Sequence, residues 1–209
     1  MSTTFVLQPG SSDGEDLTIF NKSATTNHLI YEWLAMGEHN ALSTYIYRIL
    51  IRFPTLATGG VPKNRTVLSA TLSLYLYDDS CSYSRSYSFF RLKRAYVPAQ
   101  ATWNSYQTGS AWHHAGLYTA YASDDYDKTA LATTTLGASE ADGWKEWDLD
   151  TDVVFQMING YYQNNGFFGM CNAEFNDLYD FRSSRYSNAT LHPKLTVEVE
   201  DYVGGAIML

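Results

Sequence analysis

Three carboxylates, Asp124, Asp125 and Asp127, crowd one short stretch of the chain. Hard oxygen donors that close together suit Ca²⁺, although no glycine and no distal glutamate completes an EF-hand loop around them. A solvated acidic loop is the competing reading. Asp13, Glu15 and Asp16 form a second cluster open to the same two readings. Gly10-Ser11-Ser12-Asp13-Gly14 fits the G-x-S-x-G pattern, with Ser12 as the nucleophile. A nucleophile elbow needs a strand before it and a helix after it; here the chain runs into the strand-like Leu17-Thr18-Ile19-Phe20, so a hairpin loop is expected. Glu140, Asp142 and Glu146 have the chemistry of a glycosidase acid and base, but they stand in a polar, loop-like stretch. His113 and His114 have no Cys or further His at ligand spacing, and HExxH is absent. No catalytic centre is expected, and no cofactor beyond the calcium that Asp124, Asp125 and Asp127 could hold.

Aromatic residues make up 15% of the chain and include 17 Tyr. Their faces stack on sugar rings or anchor protein interfaces. Trp103, Tyr106, Trp112, Tyr118, Tyr121 and Tyr126 fall in loop-like stretches. The two tryptophans are expected to close the end of the core, which leaves Tyr106, Tyr118, Tyr121 and Tyr126 as the expected contacts to a carbohydrate or a partner. Arg85, Arg91, Lys93 and Arg94 interleave with Tyr87, Phe89 and Phe90, as in a single-strand nucleic-acid groove. The net charge of -8 opposes that use, and equally opposes docking on anionic membrane.

The elements that would hold these residues read mostly as strands. Leu72, Leu74 and Leu76 alternate with Ser73, Tyr75 and Tyr77, the period of a half-buried strand. Similar runs occur at 5–7, 17–20, 45–53, 88–97, 145–149, 166–170, 180–182 and 194–199. Val153, Val154, Met157, Ile158, Tyr161 and Tyr162 instead follow helical spacing behind the caps Thr151 or Asp152. With 209 residues and no linker or repeat, the expectation is one all-β domain over residues 1–202 with a single short helix, followed by an apolar tail, 203–209. Cys81 and Cys171 allow one disulfide at most. The apolar stretch 29–36, broken by Glu32, is too short to span a bilayer. Residues 1–9 do not read as an export leader, so a chain soluble as made is expected.

The order of motifs resembles the DNRLRE domain family, β-sandwich modules of bacterial surface and phage structural proteins. The residues that carry it are Glu15-Asp16-Leu17-Thr18-Ile19, Tyr47 to Phe53, Val67 to Tyr75, Ala101-Thr102-Trp103-Asn104 trailed by Gly109 and Trp112, Trp147 to Asp150, Asn165-Gly166-Phe167, Phe181-Arg182-Ser183-Ser184 and His192 to Val197. Arg185 stands where the family often has a glutamate, and Val97 where it often has a tryptophan. The resemblance implies a jelly-roll β-sandwich without catalytic function. It leads to a phage virion structural protein, a head-decoration, head-fibre or tail component, whose partners are other virion proteins or further copies of itself. The alternative is a carbohydrate-binding module attaching to cell-surface or extracellular polysaccharide.

Overall fold

The computed structural model describes residues 1–39, 44–117, 124–175 and 177–201. Strand-forming, alternating sequence dominates, and the all-β expectation holds at that level. The strands are β1 (Ser2–Leu7), β2 (Glu15–Phe20), β3 (Trp33–His39), β4 (Tyr45–Arg52), β5 (Val67–Cys81), β6 (Arg85–Arg91), β7 (Ser105–Gln107), β8 (Ser110–Ala111), β9 (Ala132–Leu136), β10 (Gly143–Asp148), β11 (Phe167–Cys171), β12 (Asp177–Arg182) and β13 (Lys194–Glu200). The described residues form one α-helix, α1 (Thr151–Asn159).

Eleven strands join in one antiparallel sheet, in the order β1-β13-β5-β12-β3-β4-β11-β6-β9, with β10 added beside β5 and β2 beside β4. The sheet curls on itself, because its two halves share one core. Leu72, Leu74 and Leu76 of β5, Leu195 and Val197 of β13 and Tyr179 and Phe181 of β12 pack in the same cluster as Ile49 and Ile51 of β4, Phe89 of β6 and Phe167 of β11. The halves meet through β3. Its first part, Trp33 to Met36, pairs with β12; its second, Gly37 to His39, pairs with β4.

The middle of the second half of the sheet is buried on both faces. Every residue of β11 is buried, and Phe168 and Met170 join Leu17, Ile19 and Leu50 in a second cluster under Leu92, Tyr96, Ala101, Trp112, Leu117 and Tyr126. The segment between β6 and β9 therefore roofs that half. Trp112 is buried there and donates its indole N–H to the Thr102 carbonyl at 2.9 Å, while Trp103 is half-buried against the same cluster. Both sit as the sequence suggests.

The helix forms over the first part of the periodic run, capped one residue before Thr151, and ends short of Tyr161, Tyr162 and the stop expected at Asn165-Gly166, because Gly160 closes it first. Asp150 accepts from the backbone N–H of Asp152 and Val153 at 2.9 and 3.1 Å, and Gly160 ends the helix at φ 81°. Strands β3, β7, β8 and β9 go beyond the sequence reading, and the run expected over 88–97 becomes the shorter β6, displaced toward its N-terminal side. Cys81 and Cys171 are free and buried: the first sulfur donates to the Leu178 carbonyl, the second to Asp177. The tail 203–209 lies outside the described residues.

Candidate functional site: an aromatic recess on the open sheet face

Among the described residues, nothing comparable to the second cluster roofs the outer face of the first half of the sheet. Strand parity turns Thr71, Ser73, Tyr75 and Tyr77 outward from β5, opposite the buried leucines. On this face Tyr75 meets Trp144 of β10 edge-on at 5.5 Å, and the Lys194 ammonium lies 4.0 Å from the Trp144 ring centre. Hydroxyl to carboxylate pairs continue the surface, Thr71 to Asp148 at 2.8 Å and Ser73 to Glu146 at 3.4 Å.

The same face deepens beside Tyr77 into an open recess of about 210 Å³ lined by Trp33, Tyr47, Tyr77, Leu178 and Asp180. Four strands supply these residues, β3, β4, β5 and β12. The recess forms where β3 changes partner and brings β4 against the end of the first half. Its walls are braced by further rings. Tyr31 stacks on Trp33 at 5.1 Å, Phe20 stacks on Tyr47 at 4.2 Å, and Trp33 meets Tyr47 edge-on at 6.4 Å. The Arg182 guanidinium lies 3.6 Å from the Tyr77 ring centre and 4.0 Å from that of Tyr186. Rings held by rings lose little freedom when a ligand arrives.

Asp180 is the ionisable group of the recess. Burial, and secondarily Asp78 in register across from it, push its carboxyl up to about 7. Among the described residues no hydrogen-bond donor or cation is paired with its side chain. Burial and then Asp180 push the Tyr77 phenol up to about 12, and Tyr47 moves the same way, so both remain hydroxyls at neutral pH. The recess thus brings together three rings, two phenols and one carboxylate.

The shift at Asp180 has a measurable consequence. A carboxyl raised on folding holds its proton more tightly in the native state, so its contribution to stability is full below the unfolded value of 3.8 and is lost as pH rises through about 7. Asp180→Asn should remove that loss. Urea unfolding should find the variant more stable than the parent at pH 8 by on the order of a few kcal/mol, with the gap closing toward pH 4. A gap independent of pH would mean that Asp180 is not desolvated.

The residues singled out from sequence are placed elsewhere. Asp125 is fully buried; its carboxylate pairs with Arg94 and accepts the His113 backbone N–H. Asp127 takes Arg91 at 2.7 Å, and Asp124 is exposed, 3.7 Å from His113. The three carboxylates thus turn to three different partners, and among the described residues no group of three His, Cys, Asp or Glu could hold a metal ion. Tyr126 is buried against Phe90 and Phe168 in the second cluster, and Tyr106 is half-buried, edge-on to Trp112 with the Arg94 guanidinium over its ring. Tyr118 and Tyr121 lie outside the described residues.

Other motifs resolve into structural roles. Gly10 to Gly14 is a turn closed by Gly14 N–H to the Gly10 carbonyl at 2.8 Å, followed by a strand and not a helix. Asp16 is buried and accepts the Ser184 backbone N–H at 2.8 Å; burial, offset in part by Ser184, raises its carboxyl above the ordinary range. Arg185 donates to the Gly14 and Leu29 carbonyls. Lys145 pairs with Glu140 and holds its carboxyl below the ordinary range. Arg85, Arg91 and Arg94, the three arginines among the four basic residues of the nucleic-acid-like stretch, are engaged by Asp177, Asp127 and Asp125.

The described residues thus form an all-β module with an aromatic recess on one sheet face. The model of the disaggregatase related repeat domain matches residues 16–197, and the chain belongs to that family. The match corrects the resemblance to DNRLRE modules and removes the support it gave to a virion structural protein with capsid or tail partners. Short motifs in matching order mark an antiparallel strand framework, which unrelated families share. The assignment to a repeat-domain family agrees with a non-catalytic chain. No curated protein matches the sequence significantly. Among the described residues no helix is long and apolar enough to cross a membrane.

Proposed function

We propose that this chain is a non-catalytic carbohydrate-binding module that attaches to cell-surface or extracellular polysaccharide through the open face of the first half-sheet. One observation carries the reading: the recess of Trp33, Tyr47, Tyr77 and Asp180 continues along β5 into the Tyr75 and Trp144 pair. Sugar rings present apolar C–H faces and polar hydroxyl edges. Aromatic walls match the first, and carboxylates and phenols match the second. A sheet face with rings at both ends suits an extended chain of several sugars. The jelly-roll wiring belongs to the same proposal, supported by antiparallel pairing throughout and by two half-sheets closing on one core.

Affinity electrophoresis against immobilised neutral, amino and uronic polysaccharides tests the reading. The intact chain should be retarded by at least one of them, and Trp33→Ala should weaken that retention about tenfold, equivalent to ~1.4 kcal/mol. Tyr83→Ala, on an exposed ring that pairs with Phe175 and not with the recess, should leave it unchanged. No retention on any polysaccharide, or equal retention of the Trp33 variant, would overturn the proposal.

A further inference from the structure

The recess carries more chemical information than a general sugar platform. A carboxylate set among three rings without a hydrogen-bond donor is poorly solvated, and Asp78 adds a second negative charge beside it. A neutral sugar hydroxyl would donate one hydrogen bond and leave the charge uncompensated. A uronic acid would bring a third carboxylate into a chain that already carries -8. A cation satisfies every part of the arrangement. It pairs with Asp180, is drawn by Asp78, and lies against ring faces whose quadrupoles attract positive charge.

We infer that the recess between Trp33, Tyr47 and Tyr77 takes the protonated amine of an unacetylated amino sugar, its charge against Asp180 and its ring against the aromatic walls. The inference rests on the carbohydrate-binding reading and names the sugar class for that site. An amino sugar fits better than a small ammonium ion alone because the recess opens onto the ring-bearing face, where the following sugar units can lie against Tyr75 and Trp144. N-acetylation removes the charge and adds bulk, so the acetylated sugar should be discriminated against.

Binding is pH-dependent in a definite direction. The charged or titratable groups around Asp180 are Asp78 and Tyr77 from β5, Tyr47 from β4 and Arg182 from its own strand. The two phenols stay neutral, and Arg182 lies over Tyr77 and Tyr186. Asp180 is therefore the group of the recess whose charge changes around neutral pH. Its protonated form cannot pair with an ammonium, so affinity should rise as the proton leaves.

Calorimetric titration of the full chain with glucosamine tetramers and with fully N-acetylated tetramers of the same length tests this. Expected are at least tenfold tighter binding of the amine form at pH 6, where the sugar amine is protonated, about a tenfold gain for it from pH 5 to 6, and net proton release on binding at pH 6 in buffers of differing ionisation enthalpy. Asp180→Asn should abolish all three effects, and Asp78→Asn should weaken amine binding less. Equal affinity for the amine and acetylated tetramers, or tight binding of a neutral glucan alone, would overturn the amino-sugar assignment while leaving the carbohydrate reading intact. Binding of polylysine as tight as that of the amine tetramer would show that the recess reads charge alone, and would also overturn it. Failure of every saccharide to bind would bring down both.

Discussion

Gly37→Ala is expected to cost this protein on the order of 3–5 kcal/mol, seen as a fall of about 10 °C or more in the thermal midpoint. Gly37 has φ 120°, a backbone state L-residues rarely adopt. A methyl group there would overlap the Asp177 carbonyl oxygen and lie 2.9 Å from the carbonyl carbon and from Oδ1 of the same residue. Both pieces are fixed. Asp177 is fully buried and accepts the Glu38 backbone N–H at 2.8 Å and the Phe175 backbone N–H at 3.0 Å. Gly37 is also where β3 leaves β12 for β4, so relief of the overlap would shift the join between the half-sheets. Gly109→Ala is the comparison, since Gly109 also has positive φ but nothing within 4 Å of the added atom. If both variants lose the same stability, the close approach at Asp177 is not what Gly37 serves.

Trp147→Ala is expected to destabilise by about 3–5 kcal/mol, the cost of emptying a large aromatic site. Trp147 is fully buried. From β10 it meets Phe181 of the same half edge-on at 6.0 Å and Phe89 of the other half at 5.1 Å, and its indole N–H donates to the Tyr87 carbonyl at 2.8 Å. One side chain therefore packs and hydrogen-bonds across the core. Trp147→Phe should fall between parent and alanine variant, because it keeps most of the ring contact and leaves the Tyr87 carbonyl without its donor. Chemical denaturation of the three proteins checks the order. A phenylalanine variant as stable as the parent would assign the whole effect to volume.

The recess shows how sequence and fold divide the information. Parity along β5 sorts Leu72, Leu74 and Leu76 from Tyr75 and Tyr77 without any structure, and the helical spacing of Val154, Met157 and Ile158 is equally legible. Strand β3 is harder to read. It contains Gly37 and a buried Glu38, and because it serves β12 and then β4, no single alternation runs along it. β9 is a threonine-rich strand in which Thr133 and Thr135 meet Ser88 and Ser86; its β-branched residues were the signal, with little apolar periodicity to support them. The abundance of tyrosine pointed to an exposed aromatic surface, while the loop-like placement of Tyr106 and Tyr126 drew attention to the roofing segment, where Tyr126 is buried in the second core.

The sequence by itself determined the strand periodicity, the single helix, the acidic balance and the aromatic supply, because each depends on neighbours along the chain. Tertiary structure alone decided which outward face stays open, since parity assigns a side chain to a face and says nothing about what later covers it. It also decided that Trp33, Tyr47, Tyr77 and Asp180 meet, residues from four strands far apart in the chain. The physical reason is the curl of the sheet at β3, where one strand pairs first with one half and then with the other, and the desolvation of Asp180 exists only once that turn is made.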